Sequence, residues 1–342
     1  MEILEWKEIA ESFQDSILLG NGASISLCAD FRYSSLFEKG RTSSCLSSGA
    51  VDVFERFDTT DFEMVLRLLR QAGIVNEALG IEEAITHEKH DEVRDGLVKT
   101  VRMIHAGQDL VRTQLPAVAA FLEQFTTVFS LNYDLLLYWT ILIGNEAYGG
   151  RNRFKDCWLR PQKHSFGLFP DNYTWLRDPD DGLDECTCVF YPHGNLAFAR
   201  DDVWQEWKLY SDEHLLLETV LSHWSSGYYR PLFVSEGESH LKLQAIRRSP
   251  YLKTVYEREL KQTTNTLVIF GWSAGEQDSH ILDAILNRKP RAIAIAVHDK
   301  SAASIDRWRT FANEVHRYRG APQTEILLFD SESEGCWTKC TS

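Results

Sequence analysis

The chain of 342 residues is long enough to bury a large core, either as one large α/β domain or as one domain with a sizeable insertion. Hydrophobic residues make up 44% of the chain and charged residues 25%, which is ordinary for a globular protein. The net charge of −14 and the lack of a basic tract argue against a general duplex-binding surface, so no direct nucleic-acid binding is expected.

Neither a targeting segment nor a membrane span is predicted. The first 16 residues are charged throughout, and the apolar run 135–144 is far shorter than the roughly 20 residues that a bilayer crossing needs. Seven cysteines without a regular framework indicate a reducing cytoplasm. Cys157, Cys186 and Cys188 could bind a metal, but no pair has the usual two-residue gap. Free thiols are therefore favoured, and no metal is expected.

The first third of the chain predicts one strand followed by a helical block. A short amphipathic helix over 5–16 leads into the apolar strand SILL (16–19) and the turn GNGAS (20–24). The pattern is then helical, and it predicts a helical insertion at about 50–125. Within it one helix face carries Phe62, Val65, Leu66 and Leu69.

The rest of the chain alternates strands with helices. Predicted strands cover 127–131, 188–194, 231–237, 266–273, 291–299 and 324–330. Predicted helices cover 135–143, 251–264, 278–288 and 303–317. A mixed, aromatic-rich insertion is expected at about 145–230, and a tail at 331–342. This alternation predicts a doubly wound, mostly parallel, Rossmann-like α/β sheet in a single domain, 1–342.

Polar motifs follow the predicted strands, which is where doubly wound sheets bind ligands. The first motif is the turn Gly20, Asn21, Gly22, Ala23 and Ser24. Its glycines would let the backbone approach a phosphate closely, with free N–H groups facing the ligand. Ile25 stands where the third glycine of the dinucleotide fingerprint would be, so a plain strand-to-helix turn is the alternative.

Two further strand ends carry candidate catalytic side chains. Asn132 directly follows a strand, and its neutral amide suits a ribose hydroxyl or a water. Asp134 is favoured as the cap of the next helix. His193 precedes Gly194, which would leave the flank of the ring open, and an imidazole titrates near neutral pH as a general base must. A structural histidine is the alternative.

The remaining motifs are less specific. Ser235 and Ser239 lie in a turn that would either hold hydroxyls or phosphate or only cap a helix. Gly271 ends another strand, and Ser273 could hydrogen-bond a nucleotide. His280 is expected to be structural or to contact the site residues without contacting the ligand.

Taken in order, Gly-Asn-Gly-Ala-Ser, Ser-Leu-Asn-Tyr-Asp, Pro-His-Gly-Asn and Phe-Gly-Trp-Ser with Asp-x-His-Ile resemble the sirtuin family over roughly residues 16–290. The divergent bacterial sirtuin-like branch is the most similar. The resemblance implies that the turn Gly20, Gly22, Ala23 and Ser24 holds the pyrophosphate of NAD. It implies catalytic roles for Asn132 and His193, and places Gly271 and Ser273 near the adenosine ribose. Asn21, Asp134, Gly194 and Ser235 complete the set of candidate cofactor-binding residues.

The chain departs from the protein deacylases of that family. Their paired Cys-x-x-Cys zinc ribbon is missing, a helical block follows the first turn, and the segment from Gly271 to Asp278 is two residues longer than the common motif. Members without the zinc module tend to be NAD-cleaving enzymes of anti-phage defence. The resemblance therefore implies a cytoplasmic bacterial NAD⁺ glycohydrolase that releases nicotinamide and ADP-ribose. It also implies a homo-oligomer with a companion defence subunit or a phage-derived activator.

Four other functions stay open at this point. The fold could bind NAD or ADP-ribose as a sensor or scaffold without chemistry. It could be a protein deacylase, which needs an acyl-lysine groove, or an ADP-ribose cyclase, which differs from a hydrolase only in the attacking nucleophile. A dehydrogenase is disfavoured because the third glycine and the acidic ribose-binding residue are missing.

Overall fold

The structure is a computed structural model, and it describes most of the chain. The described residues are 2–31, 36–82, 84–105, 107–147, 153–160, 166–170, 186–201, 203–210, 216–234, 238–262, 265–318 and 323–340. Among these residues no helix is long and apolar enough to cross a bilayer.

The strands and helices follow the expected alternation, with additional short strands. The strands are β1 Ile3–Leu4, β2 Ser16–Leu19, β3 Thr127–Ser130, β4 Phe154–Lys155, β5 Phe166–Leu168, β6 Thr187–Phe190, β7 Gly194–Arg200, β8 Glu206–Leu209, β9 Arg230–Phe233, β10 Thr266–Phe270, β11 Ala292–Val297 and β12 Glu325–Asp330. The helices are α1 Trp6–Ile9, α2 Asn21–Ile25, α3 Leu36–Thr42, α4 Ser48–Arg56, α5 Phe62–Leu79, α6 Ala84–Ile104, α7 Leu115–Leu122, α8 Leu136–Ala147, α9 Leu216–Ser225, α10 Ser239–Arg247, α11 Pro250–Thr254, α12 Leu260–Gln262, α13 Ser279–Leu286 and α14 Ala302–Arg317. A π-helical turn, Val255–Glu259, joins α11 to α12.

The main sheet has eight strands in the order β1-β12-β11-β10-β2-β3-β6-β4, and every neighbouring pair is parallel. Without the edge strands β1 and β4, this is the 3-2-1-4-5-6 order of the Rossmann fold. The predicted α/β class and parallel sheet are therefore confirmed. The strand order reverses between β2 and β10, so the ligand-binding crevice is expected where those two strands end.

Both faces of this sheet are covered, which explains its continuous apolar strands. Every residue of β2, β3, β6 and β10 is buried. The register sets Leu19 beside Phe270 on one side and beside Ser130 on the other. The carboxyl ends of these strands therefore lie next to one another along one edge of the sheet.

A second sheet of four antiparallel strands, in the order β5-β8-β7-β9, comes from the mixed part of the chain. The segments 188–194 and 231–237 were each predicted as a single strand. In the structure β6 ends at Phe190, a turn follows, and β7 begins at Gly194 in the second sheet. The second segment corresponds to β9 of the same sheet. Hydrophobic pattern alone could not separate two buried strands joined by so short a turn.

The helical block between β2 and β3 is present as predicted. Its two longest helices, α5 and α6, pack against each other. The four residues predicted to share one face of α5 are all buried: Phe62, Val65, Leu66 and Leu69. This face carries the block into the common core, because helices bury their apolar stripe.

The predicted tail is wrong for the part of it that the structure describes, up to residue 340. Trp337 is only 3% exposed, and its ring stacks on Phe270 with centroids 4.8 Å apart. Ser333 accepts a hydrogen bond from the Trp6 backbone N–H. Trp337 also makes an edge contact with Phe121. The polar composition of this segment suggests a solvated end, but these ring contacts and the Ser333 hydrogen bond pack it against the core.

Candidate functional site

Three glycines join the ends of β2 and β10 at the point where the strand order reverses. A Cβ on Gly20 would lie 2.4 Å from the Trp272 Cα, and one on Gly22 would lie 2.8 Å from the Gly271 Cα. Gly271 has a φ of +71°, and a Cβ there would meet the Ala23 nitrogen at 2.1 Å. No side chain fits at any of these positions, so the two turns touch through their backbones.

The backbone N–H groups of this turn are used within the protein. Gly20 donates to the Phe270 carbonyl at 2.9 Å, Gly22 to the Gly271 carbonyl at 2.7 Å, and Ala23 to the Gly20 carbonyl at 2.9 Å. The expectation that free N–H groups of these three residues face a phosphate is therefore wrong. Their glycines serve the close approach of two strand ends instead.

Asn132 joins this junction from the end of β3. Its Nδ2 donates two hydrogen bonds, to the Gly20 carbonyl and to the Ser24 Oγ, each at 3.0 Å. Both amide hydrogens are thereby used, and the Oδ1 accepts no hydrogen bond from a residue that the structure describes. The half-buried side chain thus presents a fixed acceptor beside the glycine junction.

Asp134 is buried behind that amide. Its Oδ2 accepts the Ser24 hydroxyl at 2.7 Å, and its Oδ1 accepts the Leu136 N–H at 2.9 Å, at the start of α8. Burial raises the pKa of this carboxyl to about 6, although both hydrogen bonds oppose that rise. The predicted capping role fits this geometry. The carboxylate supports Ser24, which in turn supports Asn132.

His193 follows β6 at the same edge of the sheet. Gly194 has a φ of +77°, and a Cβ there would lie 2.2 Å from the Leu232 carbonyl oxygen. This glycine lets β9 approach closely; it does not leave the flank of the ring open, as had been expected. His193 is 3% exposed, and its carbonyl accepts the Val234 N–H.

The imidazole of His193 faces a second imidazole. Its Nε2 lies 3.0 Å from the Nε2 of His280, and the rings are stacked with centroids 5.2 Å apart. A hydrogen bond to the Leu131 backbone, next to Asn132, also engages His193. Burial lowers the pKa of His193 to about 3 and that of His280 to about 4. Both rings are therefore neutral at pH 7. The prediction that His193 titrates near neutral pH is wrong.

An ion pair between the buried Lys242 and the half-buried Asp278 lies beside the two histidines. The Asp278 Oδ1 accepts the Lys242 Nζ at 2.8 Å, and its Oδ2 accepts the Trp272 Nε1 at 3.2 Å. Among the described residues, His193, Asp278 and His280 form the one group of three metal-ligand types with ligand atoms within 4.8 Å of one another. Hydrogen bonds already use both Asp278 oxygens, and a lysine ammonium stands where a cation would need negative charge. This cluster is accounted for without a metal ion.

The cysteines show no sign of a shared site in the described chain. None of the seven forms a disulfide, and none joins a group of three candidate ligands there. Burial raises the pKa of the Cys157 thiol well above its usual value, which makes this sulfur a poor metal ligand and a poor nucleophile.

A cleft of about 440 Å³ opens beside the glycine junction, at the ends of β10 and β11. This volume is typical of small-molecule sites. Gly271, Trp272 and Ser273 line one side, and the first turns of α14 line the other with Arg307 and Trp308. The Ser273 carbonyl accepts a hydrogen bond from Arg307 at 3.4 Å.

The structure thus brings most of the predicted residues to one edge of the sheet. Gly20, Gly22, Ser24, Asn132 and Gly271 form one connected group, and Ser273 lines the adjoining cleft. Ser235 lies outside the described residues. The sequence did not predict the contacts of His280 with His193 and Ser239, since each residue follows a different strand.

Comparison with known proteins identifies a family without an assigned function. The family model described as "Domain of unknown function (DUF4917)" matches residues 17–337, so the chain belongs to this family. No curated protein matches the chain. Eighteen chains of solved structures do, among them one described as "Structural Basis for the Mechanism and Regulation of Sir2 Enzymes". That match has 12% identity and a TM-score of 0.34, and it covers 91% of this chain and 96% of the other. Residues cannot be paired one to one at this similarity, so the site itself must carry any functional assignment.

Proposed function

We propose that this member of the family is an NAD⁺ glycohydrolase, which cleaves NAD⁺ into nicotinamide and ADP-ribose. The observation that carries the proposal is the shared edge of the sheet. There the glycine junction of β2 and β10, the fixed acceptor of Asn132 and the neutral imidazole of His193 follow four adjacent strands. A dinucleotide spans such a strand-order reversal in doubly wound folds.

The cleft and the junction suit the two ends of a dinucleotide. The cleft of about 440 Å³ would take the adenosine, with Trp272 and Trp308 as apolar walls. The diphosphate would then cross the glycine junction, where no side chain stands in its way. The nicotinamide ribose would extend along the edge toward Asn132 and His193.

The reaction breaks the bond between the anomeric carbon and the nicotinamide nitrogen. Nicotinamide leaves as a neutral molecule with the bonding electron pair, and an oxocarbenium-like carbon remains. Water adds to this carbon and releases one proton. The protein has to fix the ribose, orient that water and accept its proton.

Asn132 and His193 have the chemistry for these tasks. Because Gly20 and Ser24 hold both amide hydrogens, the Asn132 Oδ1 would accept a hydrogen bond from the attacking water or a ribose hydroxyl. A neutral imidazole is the protonation state that a base requires, and the lowered pKa of His193 guarantees it at pH 7. A pKa of about 3 also makes the buried ring a weak base, so His193 would accept the proton only after substrate binding has changed its surroundings.

The sequence resemblance adds the wider context of this proposal. The enzyme would act in the bacterial cytoplasm in anti-phage defence, as a homo-oligomer controlled by a companion subunit or a phage-derived activator. Cyclisation of ADP-ribose would use the same residues, with an internal nucleophile of the ligand in place of water.

One observation favours a second candidate, a sensor that binds NAD or ADP-ribose without chemistry. His193 is buried, and both of its ring nitrogens are engaged within the protein. A ring held in this way could be purely structural. Tight NAD⁺ binding without nicotinamide release, with or without a cell lysate from phage-infected bacteria, would support the sensor.

Nicotinamide release from NAD⁺, followed by mass spectrometry, tests the proposal. We expect Asn132→Ala and His193→Ala each to lower the rate at least about 100-fold, the size of a lost catalytic group. Asn132→Asp should be equally impaired, because it loses both donors that fix the side chain. The exposed His87, on α6, provides the control variant His87→Ala. Wild-type turnover in both alanine variants of the site would disprove these assignments.

A further inference from the structure

Only one order of donors and acceptors suits the hydrogen bonds of the two facing imidazoles. The Ser239 Oγ accepts the His280 backbone N–H at 2.9 Å and also lies 2.9 Å from the His280 Nδ1. If the hydroxyl donates to Nδ1, His280 carries its proton on Nε2 and donates it to His193. His193 then carries its own proton on Nδ1, which donates to the Leu131 carbonyl.

The reverse order leaves a mismatch. If His280 donated from Nδ1 to Ser239, its Nε2 would accept a hydrogen bond from the His193 Nε2–H. The His193 Nδ1 would then hold a lone pair against the Leu131 backbone. The contact with Leu131 favours the protonated imidazole, as a carbonyl acceptor does, so a lone pair on that nitrogen does not fit. The first order satisfies every group.

We propose that His280, oriented by Ser239, blocks the acceptor nitrogen of His193 in the resting protein. The inference rests on the proposed function and concerns its regulation. An imidazole Nε2 has a single in-plane lone pair, and the His280 N–H occupies it. A water or ribose hydroxyl must donate to that same lone pair in order to lose its proton to His193. Substrate therefore has to displace His280 before the base can work.

His280 is firmly anchored in this blocking position. Its carbonyl accepts the Tyr256 hydroxyl at 2.9 Å, and Ser239 bonds both its backbone and its ring. The Lys242–Asp278 ion pair closes the cluster next to it. Asp278 also accepts the indole N–H of Trp272, and that indole belongs to a wall of the cleft. A ligand that moves Trp272 would act on the neighbour of the blocking residue.

Imidazole ¹⁵N NMR of the ligand-free, full-length protein tests the hydrogen-bond order without any assay of activity. We expect Nε2 of His280 and Nδ1 of His193 to carry the protons, with an acceptor shift at Nε2 of His193. In His280→Phe, which keeps an aromatic ring, the His193 Nε2 signal should move toward that of a free acceptor. A proton on the His193 Nε2, or bound zinc found by elemental analysis, would overturn the inference.

Rates of nicotinamide release then test the consequence. His280→Phe should release nicotinamide at least about tenfold faster than wild type at low NAD⁺, with Ser239→Ala between them. His223→Phe, at a half-buried histidine of α9, is the matched control. A tenfold loss in His280→Phe with an unchanged melting temperature would show that His280 assists His193 and does not block it.

The two proposals fail in different ways. If no variant releases nicotinamide and none binds NAD⁺, the proposed function fails, whereas the NMR result still decides whether His280 occupies the Nε2 of His193. If the wild type is active and His280→Phe is no faster, the function stands and the inference fails.

Discussion

The glycine junction and the histidine pair lie along one edge of the sheet, yet they are built in opposite ways. At the junction, backbones touch and Asn132 keeps an acceptor oxygen that no described residue uses. At the histidine pair, side chains are buried and both nitrogens of His193 are engaged. In the proposed function, the junction is therefore ready for a ligand, whereas the histidine pair has to rearrange. Trp272 and Asp278 connect the two regions.

The substitution with the largest expected effect breaks the glycine junction and leaves the histidine pair intact. Gly271→Ala places a Cβ 2.1 Å from the Ala23 nitrogen at a φ of +71°, so the two turns must separate. We expect NAD⁺ affinity, measured by isothermal titration calorimetry, to fall at least about 100-fold, and the melting temperature to fall as well. Gly107→Ala is the control, because a Cβ there meets nothing within 4 Å. Wild-type affinity in Gly271→Ala would mean that the nucleotide binds elsewhere.

The C-terminal segment should stabilise the glycine junction only by packing against the residue that precedes it. Trp337→Ala removes a buried ring that stacks on Phe270, directly before Gly271. Loss of a buried aromatic ring costs about 4 kcal/mol in the free energy of unfolding, measurable by urea denaturation. The neighbouring Lys339→Ala, at an exposed lysine, is the comparison and should cost far less. Equal stability of the two variants would contradict the packed position of this segment.

Acid should lower the free energy of unfolding of the protein, because the two buried histidines are neutral in the folded state. The folded pKa values, about 3 for His193 and about 4 for His280, lie below the ordinary value of 6.5. The unfolded chain therefore takes up protons first, and stability falls as the pH drops from about 6.5 toward 4. We expect each ring to contribute about 3 kcal/mol to this loss. His280→Gln should flatten the profile of unfolding free energy against pH, and an unchanged slope would show that the rings are not buried as neutral groups.

Asp134, behind the junction, should make the folding stability depend on pH less strongly than the histidine pair does, and with the opposite sign. Its folded pKa of about 6 lies above the ordinary value of 3.8, so the folded state holds the proton longer. Stability falls as the pH rises from about 4 to about 6, by about 2 kcal/mol. Asp134→Asn should remove this dependence, at a cost of about 1 kcal/mol in acid for one lost acceptor. If the pH profile of the variant matches that of the wild type, Asp134 is ionised without penalty.

The sequence was sufficient for the sheet and for the junction. Short apolar runs such as SILL and TLVIF are typical of strands buried on both faces, and the motifs at their ends fall on one edge because parallel strands share a direction. The sequence predicts close backbone approach at Gly20 and Gly22, although the partner is the turn at Gly271 and not a phosphate.

The histidine pair could not have been predicted in the same way. His193, Ser239 and His280 follow three different strands, and their contact depends on how α10 and α13 pack. Local sequence carries no record of that packing, and burial, which decides the pKa of both rings, is a tertiary property. The second sheet was missed for a related reason, since β6 and β7 are both buried and only residues 191–193 separate them.

A structure of the full-length protein with a carbocyclic NAD⁺ analogue, which cannot be cleaved, tests the central claim most directly. We expect the adenine in the cleft beside Trp272, the diphosphate over the Gly20–Gly271 junction, and the nicotinamide ribose within hydrogen-bonding distance of the Asn132 Oδ1. His193 should have exchanged its bond to His280 for one to the ligand or to a water. A nucleotide bound away from this edge of the sheet, or one that leaves Asn132 and His193 without contact, would contradict the account.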